Sequence, residues 1–199
     1  VDDNDDVGSM TQLGWTSATQ DNINGVTFTA VGAGVSIDDR DRGTDNGGGA
    51  EAAMWRDFIF AANSDAAGEG MDIDIAGLLP NTTYDVRLWA FDEGSNSGRI
   101  MEWNGNQLTF PNDPDPTSLM DYVVGFQAMS DGAGLLTLEG RVGPGNPSGP
   151  NVFVNGFELN AVLPIPEPQT FVIWILLGFS AMGFVVIRRA RLIPARLKA

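Results

Sequence analysis

Two acidic stretches hold the residues whose types and spacing could bind a metal ion. The first is Asp2–Asp6, and the second runs from Asp38 to Gly47. Calcium takes about six to eight oxygen ligands, often from carboxylates and carbonyls in Gly-bearing loops. The second stretch departs from the EF-hand pattern, since Gly43 stands where that pattern needs Asp or Asn. A solvated acidic loop neutralised by Arg40 and Arg42 is therefore preferred over a calcium site. The calcium candidates are Asp39, Asp41 and Asp45.

Carboxylates could also hydrolyse glycosidic bonds in pairs. The candidates are Asp92 with Glu93, Asp57 and Glu102. Among 26 acidic residues such pairs arise by chance, and no motif selects any of them. The chain has no His and no Cys, which removes the usual general base, the Ser-His-Asp triad and the common zinc ligand sets. We therefore predict no catalytic residues, no enzymatic activity and no cofactor beyond the weak calcium candidates.

Aromatic residues could stack on sugar rings. Alternation along the strand places Trp89 and Phe91 opposite to Val86 and Leu88. They therefore lie either in a second core layer or on the surface, and the core is preferred. The tryptophans that come before the C-terminal segment are Trp15, Trp55, Trp89 and Trp103.

Alternating apolar and polar residues predict the strands that position these side chains. In one strand Met71, Ile73 and Ile75 point inward and the intervening aspartates point outward. In Tyr84–Phe91 the residues Tyr84, Val86, Leu88 and Ala90 share one face. Further strands are predicted at Val26–Val31, Met54–Phe60, Ile100–Trp103, Gln107–Phe110, Tyr122–Met129, Leu135–Leu138 and Val152–Leu159.

Turn signals complete the β pattern. Asn104-Gly105 predicts a tight hairpin. Leu79–Tyr84 resembles the corner that leads into a central sandwich strand, so Tyr84 is interpreted as structural. With 25 Gly and 11 Pro in the chain, the spacing of the strands predicts an all-β, jelly-roll-like sandwich.

The charge of the chain is split between its ends. All 26 acidic residues lie at or before Glu167 together with six of the 11 basic ones, so this part carries a formal charge of −20. The other five basic residues all follow Ile187. The acidic part excludes nucleic acid as a partner, because phosphate binding requires Lys and Arg. The asymmetry indicates a membrane interaction.

Phe171–Ile187 is a run of 17 residues without a charge. As a helix it spans about 26 Å, which fits a transmembrane α-helix better than the alternative of a buried core helix. The basic residues behind it predict a cytoplasmic C-terminus and an acidic domain on the far side of the membrane, periplasmic or extracellular. Trp174 is the predicted interfacial anchor.

The predicted organisation has five segments. They are an acidic N-terminal segment at 1–25, a β-sandwich ectodomain at 26–160, a Pro-rich linker at 161–170, a transmembrane helix at 171–187 and a basic cytoplasmic tail at 188–199. Export requires an N-terminal signal. Because the sequence starts at Val1 without Met, we expect that a signal peptide has been removed, with a truncated chain as the alternative.

A Pro-Glu-Pro triplet, one apolar helix and an Arg cluster follow one another at the C-terminus. The triplet is Pro166-Glu167-Pro168, and the cluster contains Arg188, Arg189 and Arg191. This order resembles a PEP-CTERM sorting signal, although the tail is longer than usual. The resemblance implies an exported protein of a Gram-negative-type bacterium and recognition by an exosortase. Leu79–Tyr84 and Val154–Leu159 look like the galactose-binding-like or jelly-roll sandwiches that such proteins carry.

Three functions were weighed. The first is a non-enzymatic accessory subunit of a larger bacterial inner-membrane complex, for example a photosynthetic or respiratory one, whose ectodomain packs on a periplasmic partner. The second is a carbohydrate-binding or extracellular-matrix protein, as the sorting signal suggests. The third is an enzyme, which the missing His, Cys and catalytic spacing disfavour. The expected partners are membrane lipid and other membrane or periplasmic subunits, with carbohydrate as the alternative.

Overall fold

Strands account for almost all the regular structure of this chain. A computed structural model describes residues 25–42, 52–92, 99–110, 115–145 and 152–163. Every pair of neighbouring strands within these ranges is antiparallel. The elements are β1 (Val26–Val31), β2 (Ser36–Asp41), α1 (Ala52–Arg56), β3 (Asp57–Ala62), β4 (Gly70–Ile75), β5 (Thr83–Trp89), β6 (Ile100–Trp103), β7 (Asn106–Thr109), β8 (Val123–Met129), β9 (Leu136–Val142), β10 (Val152–Val154) and β11 (Gly156–Ala161).

Three sheets form a sandwich-like architecture around one main core. A five-stranded sheet has the order β1-β4-β9-β6-β7, and two three-stranded sheets have the orders β10-β3-β2 and β11-β5-β8. Buried residues of all three sheets, such as Ile73, Leu88 and Val154, belong to this core. The all-β prediction is therefore confirmed, and β11 ends one residue beyond the predicted boundary at 160.

The predicted inward faces are confirmed in the two clearest strands. In β4, Met71, Ile73 and Ile75 are buried. The aspartates between them point outward and find partners on β9. Asp72 pairs with Arg141 at 2.7 Å, and Asp74 accepts a hydrogen bond from Thr137. In β5, the predicted face of Tyr84, Val86 and Leu88 is likewise buried.

Tyr84 has the structural role that its sequence context predicted. Its hydroxyl accepts a hydrogen bond from the backbone N–H of Leu79 at 2.9 Å. Ser130 supports the same corner, because its hydroxyl donates to the Leu79 carbonyl at 2.6 Å and accepts from the Thr82 N–H at 3.1 Å. The corner before β5 is thus held by side chains on both sides.

The Asn104-Gly105 hairpin is also confirmed. Trp103 pairs with Asn106 across the turn. Asn104 and Gly105 both have positive φ angles, 49° and 74°, which a two-residue type I′ turn requires. The turn joins β6 to β7 and starts β7 at Asn106, one residue before the predicted start.

A second, smaller core confirms the interpretation of Trp89 and Phe91. These two side chains pack with Met54 and Trp55 of α1, apart from the main core. The Trp89 indole N–H donates to the Leu119 carbonyl at 2.9 Å, so the segment before β8 closes this cluster. Because β5 has apolar side chains on both faces at this point, other residues must pack against each face to keep them from water.

Two strand predictions were wrong in part. Ser36–Asp41 is a strand at the edge of its sheet, although Asp38 onward was expected to be a loop. Charged residues suit an edge strand because they discourage pairing with another chain. Residues 52–56 form α1, although Met54–Phe60 was expected to be one strand. A short apolar run does not distinguish helix from strand, and Ala, Met and Arg are good helix formers.

Asn155 divides the predicted strand Val152–Leu159 into β10 and β11. It is buried and uses its whole amide group. Its Oδ1 accepts from the Phe91 N–H at 2.6 Å. Its Nδ2 lies within donor distance of the carbonyls of Met54, Trp55 and Asp57, at 3.2, 3.2 and 3.0 Å. One side chain therefore connects β11, the end of β5, α1 and the start of β3.

We predict that Asn155→Ala lowers the free energy of unfolding by about 3 kcal/mol, because it leaves several buried backbone groups without a partner. Urea unfolding measures the loss. Asn160→Ala is the matched control, since Asn160 is exposed on the same chain segment and donates only to Glu158. It should change stability by less than about 0.5 kcal/mol. Similar losses in both variants would contradict the role of Asn155.

Asp121 organises the segment that closes the second core. Its Oδ2 accepts from the Thr117 N–H at 2.8 Å, the Thr117 hydroxyl at 3.0 Å and the Ser118 N–H at 3.0 Å. These donors favour the charged carboxylate. The bonds from Thr117, the backbone N–H first and the hydroxyl second, lower the pKa of Asp121 below its ordinary value.

We predict that Asp121→Asn destabilises the protein at neutral pH and that this difference shrinks in acid. A lowered folded-state pKa stabilises the fold above the unfolded-state pKa of about 4, and this stabilisation is lost as the pH falls through the folded-state value. Urea unfolding at about pH 7 and about pH 3 tests this. Asp115→Asn serves as the control, because exposed Asp115 makes no hydrogen bond within the described ranges. The prediction fails if both variants show the same pH dependence.

The predicted C-terminal features lie outside the described residues. They are the linker motif Pro166, Glu167 and Pro168, the span 171–187 with Trp174, and the cluster Arg188, Arg189 and Arg191. The predicted acidic segment at 1–25 is outside too, except for Gly25. Across the described ranges, no helix has the length and apolar character needed to cross a membrane.

Candidate binding site

The pairing of β2 with β3 places two arginines beside two phenylalanines. Phe58 and Phe60 are two residues apart on β3 and so share one face. Arg40 of β2 lies opposite Phe58 and therefore shares that face. Ile59 points to the other side, into the main core. The edge strand β2 thus places arginines over β3, which is buried on both faces.

Each of three guanidinium groups lies over an aromatic ring. Arg40 is 4.8 Å from the Phe60 centroid, Arg42 is 5.7 Å from Phe58, and Arg99 is 5.3 Å from Phe153. These distances allow cation–π attraction. Phe153 belongs to β10 and pairs directly with Phe60. We call this surface the arginine face: Arg40, Arg42 and Arg99 with Phe58, Phe60 and Phe153.

Asp92 is the internal counterion of the arginine face. Its side chain is only 3% exposed. The Arg42 Nε donates to its Oδ1 at 2.7 Å, and a second Arg42 nitrogen also contacts this oxygen. The Arg99 Nη1 is 3.8 Å from Oδ2. Arg42 follows β2, Asp92 follows β5 and Arg99 precedes β6, so one carboxylate joins the ends of three strands from three different sheets.

Aromatic packing continues from the arginine face to the second core. Phe110 lies 5.6 Å from Phe153 and stacks on Tyr122 at 5.6 Å with 13° between the ring planes. Tyr122 lies 4.7 Å from Phe91, which belongs to the second core. Tyr122 also has a φ of 47°, a backbone conformation that bulky residues rarely adopt. The surrounding rings therefore hold Tyr122 in a constrained position.

The arginine face is suited to binding an anionic group. A guanidinium stacked on a ring keeps its N–H donors at the edge of the plane, where they can bind carboxylate, phosphate or sulfate oxygens. Arg42 and Arg99 are partly engaged by Asp92. Arg40 is exposed, and no ion pair joins it to a carboxylate of the described ranges. Three of the six arginines of this acidic domain thus share one surface.

Only two of the three calcium candidates lie in the described ranges. Asp39 lies on β2 opposite Ile59, on the side away from the arginine face. Asp41 is the last residue of the same strand, and Asp45 lies outside the described ranges. Within those ranges, no three Asp, Glu, His or Cys residues lie where they could share a metal ion. Calcium binding through Asp39, Asp41 and Asp45 stays a prediction.

The carboxylates considered for hydrolysis have separate surroundings. Asp92 is held between two arginines. Asp57 is buried, with its Oδ1 at 3.7 Å from Arg56. Glu102 lies on β6 opposite Gln107 and Arg141. Glu93 is outside the described residues.

The described tryptophans offer no face for stacking on a sugar. Trp55, Trp89 and Trp103 are all buried. Trp55 and Trp89 fill the second core, and Trp103 belongs to the main core. Trp15 lies outside the described ranges.

Sequence reasoning treated Arg40 and Arg42 only as partners for neighbouring aspartates and did not single out Arg99. The arginine face was therefore missed. A usable signal exists in the matching spacing of Arg40 with Arg42 and of Phe58 with Phe60, since both pairs fit one strand face. Which strands pair cannot be read from that spacing, because the two pairs belong to segments that a long connection separates.

Comparison with known proteins adds no assignment. No model of a protein family matches the chain, and no curated protein matches it significantly.

We predict that Asp92→Asn lowers the free energy of unfolding by about 3 kcal/mol, because it leaves Arg42 and Arg99 without their shared counterion. Denaturant unfolding measures the change. Asp72→Asn is the matched control, since the Asp72–Arg141 pair is more exposed, at 26% and 23%. It should cost less than about 1 kcal/mol. If the two substitutions cost the same, Asp92 does not organise the arginine face.

Proposed function

We propose that this chain is a non-catalytic, exported bacterial protein that serves as a structural accessory subunit of a larger inner-membrane complex. Its sandwich, with the jelly-roll-like topology expected from the sequence, packs on a periplasmic subunit through the arginine face. The observation that carries this proposal is the position of Arg40, exposed on an aromatic ring in an otherwise strongly acidic domain.

The make-up of the arginine face supports protein binding. Arginine is enriched in protein interfaces and among the residues that dominate their affinity, and the phenylalanine rings beneath these arginines are buried. Stacking on Phe58, Phe60 and Phe153 restrains the guanidinium groups before a partner arrives, which reduces the entropy lost on binding. A partner with an acidic patch would be attracted to this face and repelled by the rest of the domain. Charge complementarity of this kind sets orientation and association rate.

The C-terminal sequence supports the proposed location. The uncharged run 171–187 is long enough for one span, and Arg188, Arg189 and Arg191 follow it on the side expected to be cytoplasmic. Pro166-Glu167-Pro168 adds the resemblance to an exosortase sorting signal. An anchor that is retained would keep the sandwich near membrane subunits, and its cleavage would release the sandwich to the cell surface.

The alternative is a carbohydrate-binding or matrix protein. The sorting signal suggests it, but stacking on a sugar ring would need an exposed tryptophan, and the three described tryptophans are buried. We therefore place partner packing first and carbohydrate binding second. An enzyme comes last, since the sequence has no His, no Cys and no catalytic spacing.

Solubilisation of native membranes in a mild detergent tests the proposal. The wild-type chain should co-purify with other membrane subunits. Arg40→Glu should weaken this association about tenfold or more, as expected for an interface arginine, and should make the residual binding less sensitive to salt, because salt then has less charge attraction to screen. Arg87→Glu is the matched control. It makes the same change of charge at an exposed arginine on β5, where Arg87 lies opposite Glu158.

Two results would overturn the proposal. One is a wild-type chain that leaves the membrane as a monomer in mild detergent. The other is an equal loss of association in the Arg40 and Arg87 variants, since this would indicate a general effect of charge. Thermal unfolding of both variants checks that each is folded before association is compared.

A further inference from the structure

We propose that one end of the sandwich rests on the lipid bilayer through a small apolar surface beside the point where the chain leaves the domain. Large apolar side chains that are exposed are few in the described ranges, and four of them gather at this end. We call this surface the exit rim: Leu79, Met129, Leu135 and Val162. Leu163 is exposed too but begins the separate C-terminal unit, so it is not counted.

The hydrogen bonds of the backbone bring the exit rim together. Met129 and Val162 flank Thr83, because Thr83 pairs with Met129 in the sheet and the Val162 N–H donates to the Thr83 carbonyl at 2.8 Å. Residues directly opposite each other point to the same face. Both apolar side chains are therefore exposed on the outer face of the sheet β11-β5-β8, at its last row.

The loops that carry Leu79 and Leu135 are hydrogen-bonded to Ser130 and Asp131, which directly follow Met129. Ser130, next to Met129, donates to the Leu79 carbonyl at 2.6 Å. The Asp131 N–H donates to the Leu135 carbonyl at 2.8 Å. Met129 is 66% exposed and Leu79 is 54% exposed. Isolated surface residues of this kind are normal, whereas several of them at one end of a domain favour an interaction surface there.

The position of the exit rim identifies the bilayer as its occupant. Val162 is the last residue of the domain unit, and only eight residues separate it from the uncharged run that starts at Phe171. Fully extended, those eight residues reach at most about 28 Å. If the run spans a membrane, the exit rim surrounds the point from which this short connection starts.

The charges around the exit rim favour a zwitterionic bilayer over an anionic one. Asp131 lies two residues from Met129, and its Oδ1 accepts the N–H groups of Ala133 and Leu135, both at 2.8 Å. None of the four rim residues adjoins a Lys or Arg in the sequence. Without basic residues the rim gains nothing from anionic headgroups, and the acidic domain is repelled by them. Apolar contact with the interface is the remaining attraction.

This inference rests on the membrane anchor of the proposed function, and single-cysteine labelling tests the two separately. The chain has no Cys, so Met129→Cys and Leu135→Cys each carry one environment-sensitive fluorophore on the exit rim. The full-length chain is incorporated into phosphatidylcholine nanodiscs. We expect the emission of both probes to shift to shorter wavelength and to be quenched by lipids that carry a nitroxide near the headgroup.

Met120→Cys is the matched control. Met120 is 75% exposed and follows Leu119, whose carbonyl binds Trp89 at the opposite end of β5 from Thr83. The two ends of β5 are about 20 Å apart. A probe at 120 should keep its aqueous emission and escape quenching by lipid.

The outcomes separate the two proposals. A chain that does not remain with the nanodiscs overturns the membrane anchor and, with it, the lipid contact of the exit rim. A chain that remains with the discs while all three probes stay aqueous overturns only the lipid contact. Equal quenching at 129, 135 and 120 also overturns it, because contact would then not be specific to the exit rim.

Discussion

The amide group of Asn155 is the interaction on which the rest of the described structure depends. A strand that leaves one sheet for another exposes backbone groups at the crossing, and buried groups of this kind need partners. Asn155 supplies a donor to the carbonyls of α1 and β3 and an acceptor to the N–H of Phe91. The ends of β3 and β5 are held together as a result, and both carry residues of the arginine face or its counterion. A hydrophobic residue of the same size would fill the space but satisfy none of these groups.

Local pattern predicted those parts of the fold whose causes are local. Alternation alone predicted β4 and its inward face, because the aspartates there point outward and the residues between them are buried. Asn104-Gly105 alone predicted the hairpin turn, because few dipeptides accept two positive φ angles. The strand Ser36–Asp41 was missed because its stability comes from pairing with β3, and its own charged residues predict a loop. The break at Asn155 was missed because Asn and Gly inside an apolar run indicate a turn only once both partner sheets are known.

The candidate site was less predictable than the fold, since it depends on distant segments. Asp92 was a candidate as half of a carboxylate pair with Glu93, yet its contacts include Arg42 and Arg99, which adjoin two other strands. Composition showed that arginines are scarce in the acidic domain. It did not show that half of them lie on phenylalanine rings, because this follows from the register of β2 on β3. Spacing identifies which residues share a strand face, and only pairing identifies which faces meet.

The exit of the chain from β11 has a mechanical consequence. β11 lies at the edge of its sheet and is followed at once by the point where the chain leaves the domain. The hydrogen bonds of an antiparallel ladder run across the strands, so a pull along β11 would load its six register pairs with β5 together. The bonds of Asn155 lie at the far end of the same strand. A force applied along β11 through the C-terminus would therefore shear β11 against β5. A paired strand resists separation most strongly under this kind of load.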